Sequence, residues 1–171
     1  KCGLAGGDYS CGNIGTKVDI TLSDSSINGL AGNNIFYLAN ESYSGSTENT
    51  VPVDIKINNT DFTNADGMSF QMYIGNNKNA KVAFDDKCSM PEKYYMAPSM
   101  NTTGSSVITY GQNIYYGGQN LVIDKDVTAD NIYFGNFTEN GSQGNSAIVI
   151  NKGVTVTANE GIYAAGGSNI L

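Results

Sequence analysis

The sequence predicts an all-β fold and, within that class, a parallel β-helix (β-solenoid) with one protruding loop. Two observations lead to this prediction. Several segments alternate apolar and polar residues with the period of a strand, and two parts of the chain repeat themselves at about the length of one solenoid coil. No stretch of ten or more residues shows the period of a helix.

Three segments show the alternation clearly: Val18–Leu22, Val51–Ile57 and Val154–Thr157. Clusters of Asn, Gly, Ser and Asp separate the strand-like segments. These residues suit turns because they tolerate positive φ and their side chains bond to the local backbone. The sequence therefore predicts short strands joined by tight, Asn-rich corners.

The first internal repeat appears when the chain is shifted by 35 residues. Val18–Leu22 then falls on Val53–Ile57, with apolar residues on apolar residues. The same shift aligns three further positions: Ile27 with Phe62, Gly32 with Gly67, and Ile35 with Phe70.

The second repeat has an offset of 27 residues and aligns Val122–Thr128 with Val149–Thr155. Two small insertions then bring Ala129 onto Ala158, and Ile132-Tyr133 onto Ile162-Tyr163. Both offsets suit one coil of a solenoid with variable loops. The alternative is a β-sandwich, whose strands also recur at short intervals but do not repeat their chemistry at coil length.

Four segments follow from these patterns. Residues 1–16 form a Gly-rich loop or cap, 17–84 form coils, 85–106 form a loop excursion, and 107–171 form further coils. The excursion is predicted because it holds two of the three Pro and three of the five Met. We expect the polypeptide to continue beyond Leu171, because a coil ending on an apolar pair would leave an open core.

The charge and the missing residue types exclude several functions. A net charge of −7 argues against nucleic acid partners, and no apolar run is long enough for membrane insertion. His and Arg are absent. Asn59–Asp61 and Asp85-Asp86 match two motifs of polygalacturonase-type enzymes, but the His and Arg motifs of those enzymes are missing. We therefore expect no catalytic residues, no enzyme activity and no cofactor.

A metal site is not expected either, because His and CxxC motifs are absent. Asp61–Gly67 only loosely resembles a calcium loop, and Asp124, Asp126 and Asp130 form an equally loose cluster. Of the three cysteines, Cys2 and Cys11 are the favoured disulfide pair, although Cys88 could pair with either.

Candidate ligand contacts are the Tyr and Met residues near turns, together with one Lys. Tyr offers a rigid apolar face and a polar tip. The candidates are Met90, Lys93, Tyr94, Tyr95, Met96, Met100, Tyr115 and Tyr116. Deleting residues 88–100 is expected to leave the rod folded but to weaken binding. Tyr37, Tyr73, Tyr133 and Tyr163 are interpreted as strand residues stacked between coils.

The Asn-rich coils, with the phrases Val149–Val156 and Asn159–Gly166, resemble passengers of type V autotransporter adhesins, including large fusobacterial ones. The resemblance implies a right-handed β-helix displayed outside the cell at an outer membrane. It also implies a C-terminal β-barrel translocator that the sequence given does not include. No functional residue can be transferred, because the family shares architecture more than sites.

The expected function is that of an extracellular adhesin passenger, a non-catalytic rod at the cell surface. Its expected partner is a protein or glycan on a host or neighbouring cell. Two alternatives stay open: a structural filament or spacer subunit, and a phage tailspike-like module that binds polysaccharide.

Overall fold

A computed structural model of the chain describes residues 2–4, 18–28, 35–38, 53–72, 80–99, 104–119, 121–138, 141–143 and 146–171. Within these ranges every regular element is a β-strand, which confirms the all-β prediction. The strands are β1 (Cys2–Leu4), β2 (Val18–Ser23), β3 (Ile35–Leu38), β4 (Val53–Asn58), β5 (Met68–Met72), β6 (Ala80–Phe84), β7 (Tyr94–Ala97), β8 (Ser105–Tyr110), β9 (Asn113–Gly118), β10 (Leu121–Ile123), β11 (Val127–Phe134), β12 (Asn136–Thr138), β13 (Gly141–Gln143), β14 (Ala147–Ile150), β15 (Val156–Ala164) and β16 (Asn169–Ile170).

The described strands form one large sheet, two smaller sheets and a hairpin. The central sheet has seven strands in the order β2-β4-β6-β8-β9-β11-β15. The four-stranded sheet has the order β1-β3-β5-β7, and the three-stranded sheet has the order β10-β14-β16. Strands β12 and β13 pair only with each other. The chain thus alternates between the central sheet and a smaller sheet as it advances.

Most strand pairs are parallel and join residues one repeat apart. Val18 pairs with Val53 and Leu22 with Ile57, so the 35-residue repeat that the sequence predicts is confirmed as a strand register. The next steps are shorter: Val53 pairs with Ala80, and Ala80 pairs with Ser106. The described strands of each smaller sheet are parallel as well.

Two predicted alignments are wrong by small shifts. Ile35 pairs with Ser69 and not with Phe70, because the offset falls from 35 at Ser26 to 34 in β3. A one-residue change in register matters in general, because successive residues of a strand belong to opposite faces. In the second repeat, Ala129 pairs with Ala158 as predicted.

The second shift concerns the start of β11. Val127 pairs with Val156 and not with Val154. The two extra residues therefore precede β15, in the turn after β14, where the N–H of Val154 donates to the carbonyl of Asn151. A bulge between Ala129 and Asn131 then restores the predicted pairing of Ile132 with Ile162.

The predicted excursion at 85–106 is wrong for its described part. Ser89 pairs in parallel with Asp61, and β7 pairs with β5 inside the four-stranded sheet. The prediction relied on Pro91 and Pro98, but both prolines lie outside β7. At these positions no backbone N–H is needed for strand pairing. Deleting 88–100 would remove β7 and part of the first core, so we expect this deletion to disturb the fold and not to leave it intact.

One corner shows how the repeats stack. Asp24 and Asn59 both have positive φ, at 53° and 45°, as expected for Asn and Asp at tight corners. The Nδ2 of Asn59 donates to the Oδ1 of Asp24 at 2.6 Å, and its backbone N–H donates to the Oδ1 of Asp85 at 3.0 Å. Three successive repeats are thereby linked through side chains at the same corner.

The chain reverses direction at the hairpin of β8 and β9, the antiparallel pair in the central sheet. Gly111 occupies the two-residue turn with a φ of 53°, a conformation that glycine adopts readily. Strands β11 and β15 continue in the new direction, parallel to β9. The hairpin therefore divides the central sheet into two halves whose strands run in opposite directions.

The core changes face at this hairpin. Ile108 and Tyr115 lie opposite each other on the face that packs against the four-stranded sheet, in the first core. Val107 and Tyr116 lie on the other face, which packs against the three-stranded sheet in the second core. At the hairpin, both the direction of the strands and the face of the sheet that carries the core are reversed. The two halves of the central sheet are therefore related by a half-turn about the axis along which the strands stack. The two halves can therefore keep the same crossover hand, which parallel connections strongly prefer.

The first core depends on three phenylalanines. Phe70 is fully buried and meets Phe62 and Phe84 edge-to-face, with ring centroids 5.1 and 5.0 Å apart. Edge-to-face packing adds to the hydrophobic gain of burial. In the second core, Ile132 and Ile148 are fully buried beside Phe134.

Replacing Phe70 by Ala should lower the free energy of unfolding by about 3–5 kcal/mol, because it leaves a cavity among three rings. Phe137→Ala is a matched control, since Phe137 is only half-buried and touches Tyr133 with a centroid separation of 5.6 Å. That change should cost roughly 1 kcal/mol. Urea unfolding measures both values. Equal losses for the two variants would contradict the assignment of Phe70 to a closed core.

Candidate functional site

The predicted ligand-contact residues do not form one surface. Met96, Tyr115 and Tyr116 are only 1%, 6% and 7% exposed. Met90, Tyr94 and Tyr95 are half-buried, and Lys93 is exposed. Met100 lies outside the described residues. The three buried side chains cannot act together with the exposed ones as one docking patch.

The burial of Met96, Tyr115 and Tyr116 has a common cause, since all three belong to strands of the sheets. Met96 pairs with Phe70 between β7 and β5 and enters the first core. Tyr116 enters the second core and stacks on Phe134 with centroids 5.8 Å apart. The expectation that they lie free beside turns is wrong, because their segments are sheet strands.

Tyr115 is the most constrained of the tyrosines. Its ring stacks on that of Tyr133 with centroids 4.4 Å apart, and Tyr133 stacks in turn on Tyr163 at 4.8 Å. Burial raises the pKa of Tyr115, and hydrogen bonds with the hydroxyls of Tyr94 and Tyr133 raise it further. The prediction that Tyr133 and Tyr163 stack between repeats is confirmed.

Two of the acidic residues considered as ion ligands, Asp61 and Asp126, accept hydrogen bonds from neighbouring residues. The Oδ1 of Asp61 accepts the N–H and the hydroxyl of Thr63, and the N–H bond is the main cause of its lowered pKa. The Oδ1 of Asp126 accepts the N–H of Thr155. In the described ranges, no three acidic, Cys or His side chains cluster closely enough to hold a metal ion.

The two motifs reminiscent of polygalacturonases also have a structural role. Asn59 and Asp85 belong to the corner described above, and the N–H of Asn59 lowers the pKa of Asp85. The N–H of Lys87 adds a further hydrogen bond to the same carboxylate oxygen. The carboxylate of Asp85 therefore links neighbouring repeats.

Cys88 is a free thiol buried in the first core. Its Sγ lies 3.3 Å from the carbonyl oxygen of Ile57 and 3.3 Å from the Oδ1 of Asp85. Burial raises its pKa to about 11. The alternative pairings of Cys88 with Cys2 or Cys11 are therefore not formed, while the favoured pair, Cys2 and Cys11, lies outside the described side chains.

An opening with a mixed lining lies on the outer face of the first half of the central sheet. Two adjoining cavities of about 410 and 380 Å³ share Lys81, Val107 and Tyr116 in their linings. Together they form a surface that we call the groove. Its floor is the face of β4, β6 and β8 turned away from the first core, and β10 forms one wall.

The groove exists because the core changes face. Among the described residues, the three-stranded sheet covers the outer faces of β9, β11 and part of β8. Strand β10 ends that cover, and no described strand lies over the outer faces of β4 and β6. No strand pairs with the outer edge of β10 among the described residues. The sequence shows no local motif for the groove, because its lining comes from strands far apart in the chain.

The lining combines an apolar strip with charged residues. Val107 and Tyr116 are neighbours in the sheet register and supply apolar surface. Three Lys and two Asp line the two cavities, a local net charge of +1 in a chain of −7: Lys56, Lys81 and Lys125, with Asp54 and Asp124.

Ser105 gives the groove a polar group of a different kind. The residue is 2% exposed, it lines the larger cavity, and its Oγ has no hydrogen-bond partner among the described residues. It lies two positions before Val107 in β8, so both side chains project from the outer face. Buried hydroxyls without partners are unusual in folded proteins.

No protein-family model matches the chain, and neither a curated protein nor a solved structure matches it significantly. The described part contains no apolar helix of membrane-spanning length.

The buried state of Cys88 can be tested with a thiol reagent. In a variant with Cys2→Ser and Cys11→Ser, we expect Cys88 to react with DTNB at pH 8 only after denaturant is added. The thiol is buried, and at that pH it remains almost entirely protonated. Absorbance at 412 nm follows the reaction. Complete reaction in the native protein within seconds would contradict the burial of Cys88.

Proposed function

We propose that the chain is part of the rod of an extracellular bacterial adhesin, built as a right-handed parallel β-helix, which binds its partners without catalysis. The observation that carries this proposal is the parallel pairing of strands at successive offsets of 35, 27 and 26 residues, from Val18 to Val53, Ala80 and Ser106. Steps of this size are typical of one coil in a solenoid. A β-sandwich is built mainly from antiparallel neighbours.

The side-chain chemistry supports a binding role. Asn, Ser and Thr are abundant in the sequence, and the carboxylates Asp24 and Asp85 accept hydrogen bonds at a corner. The chain lacks His, the commonest general base in enzymes. These features favour a stable scaffold that presents a surface over an enzyme that transforms a substrate.

The proposed location and partner follow from the resemblance to autotransporter passengers. The rod would stand at the cell surface and bind a protein or glycan of a host or neighbouring cell. Because residues 88–99 lie within the stack, we propose that binding uses the outer faces of the sheets and not a side loop.

A second candidate is a structural filament. Strand β15 ends the central sheet among the described strands, and it exposes Ile162 and Tyr163 by 57% and 47%. An exposed strand edge of this kind can pair with another chain. A filament would therefore grow through β15 in a concentration-dependent way.

Cell binding tests the proposal. Fluorescently labelled chain should bind saturably to epithelial or bacterial cells, and an excess of unlabelled chain should displace it, as measured by flow cytometry. A urea-unfolded and carboxymethylated sample is the control and should not compete.

Sedimentation velocity over the same concentration range separates the two candidates. Saturable binding by a monomer supports the adhesin. Large concentration-dependent assemblies together with no displaceable cell binding would contradict the adhesin and favour the filament.

A further inference from the structure

We propose that the groove is a binding site for an extended acidic peptide segment of a partner protein, which adds as a strand along the open edge of β10. This inference deepens the proposed adhesin function, because it names a site and a class of ligand. Three independent features meet there: an edge of β10 that no described strand pairs with, an excess of Lys over Asp, and a buried hydroxyl without a partner among the described residues.

The open edge offers backbone hydrogen bonds. The N–H of Asn151 donates to the carbonyl of Ile123, so Ile123 bonds towards β14. Alternate residues of a parallel strand bond to the same neighbour, and the backbone groups of Val122 therefore point to the open edge. A peptide strand can pair there and extend the three-stranded sheet over β8 and β6.

The charged residues define what the inward side chains of that peptide should be. Lys81 on β6 and Lys125 in the turn after β10 both line the larger cavity, and Lys56 lines the smaller one. Carboxylates at alternate peptide positions would reach these ammonium groups. Apolar residues between them would cover Val107 and Ala83 on the floor.

Ser105 points to the same chemistry. Its buried hydroxyl can donate to a carboxylate oxygen that enters the larger cavity, which would supply the partner that the described residues do not. A carboxylate held by Ser105 together with Lys81 or Lys125 makes charge-assisted hydrogen bonds, which are stronger than neutral ones.

A peptide fits better than an acidic glycan. Polyuronates carry carboxylates, but they lack the alternating N–H and carbonyl groups that pair with a strand edge. The open edge of β10 runs along the cavity wall, since Leu121, Val122 and Ile123 all line it. The backbone match therefore selects a polypeptide.

Fluorescence anisotropy tests the inference directly. The probe is a nine-residue peptide labelled with fluorescein. Its odd positions are Glu and Val in turn, and its even positions are Thr. The whole 171-residue chain should bind it. A peptide with Lys in place of Glu should bind at least tenfold more weakly, and so should one that is N-methylated at every residue, which cannot donate a backbone hydrogen bond along either edge. Oligogalacturonate tests the glycan alternative.

Variants locate the site. Lys81→Ala and Lys125→Ala should each weaken peptide binding about two- to fivefold, the size expected for partly exposed ion pairs. Ser105→Ala should also weaken it while preserving the fold, as checked by far-UV circular dichroism. Lys152→Ala is the matched control, because Lys152 is exposed in a turn that does not line either cavity.

The outcomes separate this inference from the proposed function. Unchanged peptide affinity in both groove Lys variants, or equal affinity for the N-methylated peptide, would overturn the groove as a strand-addition site. Binding of oligogalacturonate through the same lysines, with no peptide binding, would also overturn it. If the unmodified chain binds the peptide but does not bind cells, the result supports the groove and contradicts the adhesin. Cell binding that both Lys variants retain in full, without peptide binding, supports the adhesin and contradicts the groove.

Discussion

The in-register stacking of like side chains along the central sheet is the constraint on which the rest of the structure depends. One row crosses all seven strands through successive register partners: Ile20, Ile55, Val82, Ile108, Tyr115, Tyr133 and Tyr163. Each member packs on the next, so a register slip in any strand would put polar residues into the core. The Asp24–Asn59–Asp85 corner holds the same register from outside the sheet.

The row also shows the effect of the reversal at Gly111. Before the hairpin its members are aliphatic and face the first core, whereas Tyr133 and Tyr163 beyond it become progressively exposed. In the corresponding row on the other face of the sheet, exposure changes in the opposite direction. Lys56 and Ala83, before the hairpin, are exposed, whereas Ile132, beyond it, is fully buried. Among the described residues, each half of the sheet therefore leaves one face without a covering sheet, and the groove is that face of the first half beside β10. The proposed binding function follows from this exchange of faces.

The sequence was sufficient for the parts of the fold that repeat. The alignment of Val18–Leu22 with Val53–Ile57 predicted a real register, because inward apolar residues must recur where strands stack. The reversal was missed, although the Gly111-Gln112 turn between two alternating segments is a hairpin signal. The segment 85–99 was misread because its Pro and Met content resembles a loop, while its Met and Tyr side chains fill the core. The groove could not be predicted, since Lys81, Ser105 and Lys125 meet only through tertiary structure.

Disulfide trapping tests the register most directly. Thr21 and Lys56 are exposed register partners, so their Cα atoms lie about 4.8 Å apart on neighbouring strands. Thr21→Cys with Lys56→Cys therefore places two thiols within reach of a disulfide. Thr21→Cys with Asp54→Cys separates the Cα atoms by about 8 Å and is the mismatched control. In a background with Cys2→Ser and Cys11→Ser, mass spectrometry after mild oxidation should find the bridge only in the matched pair. A bridge in the mismatched pair alone, or in neither, would contradict in-register parallel stacking.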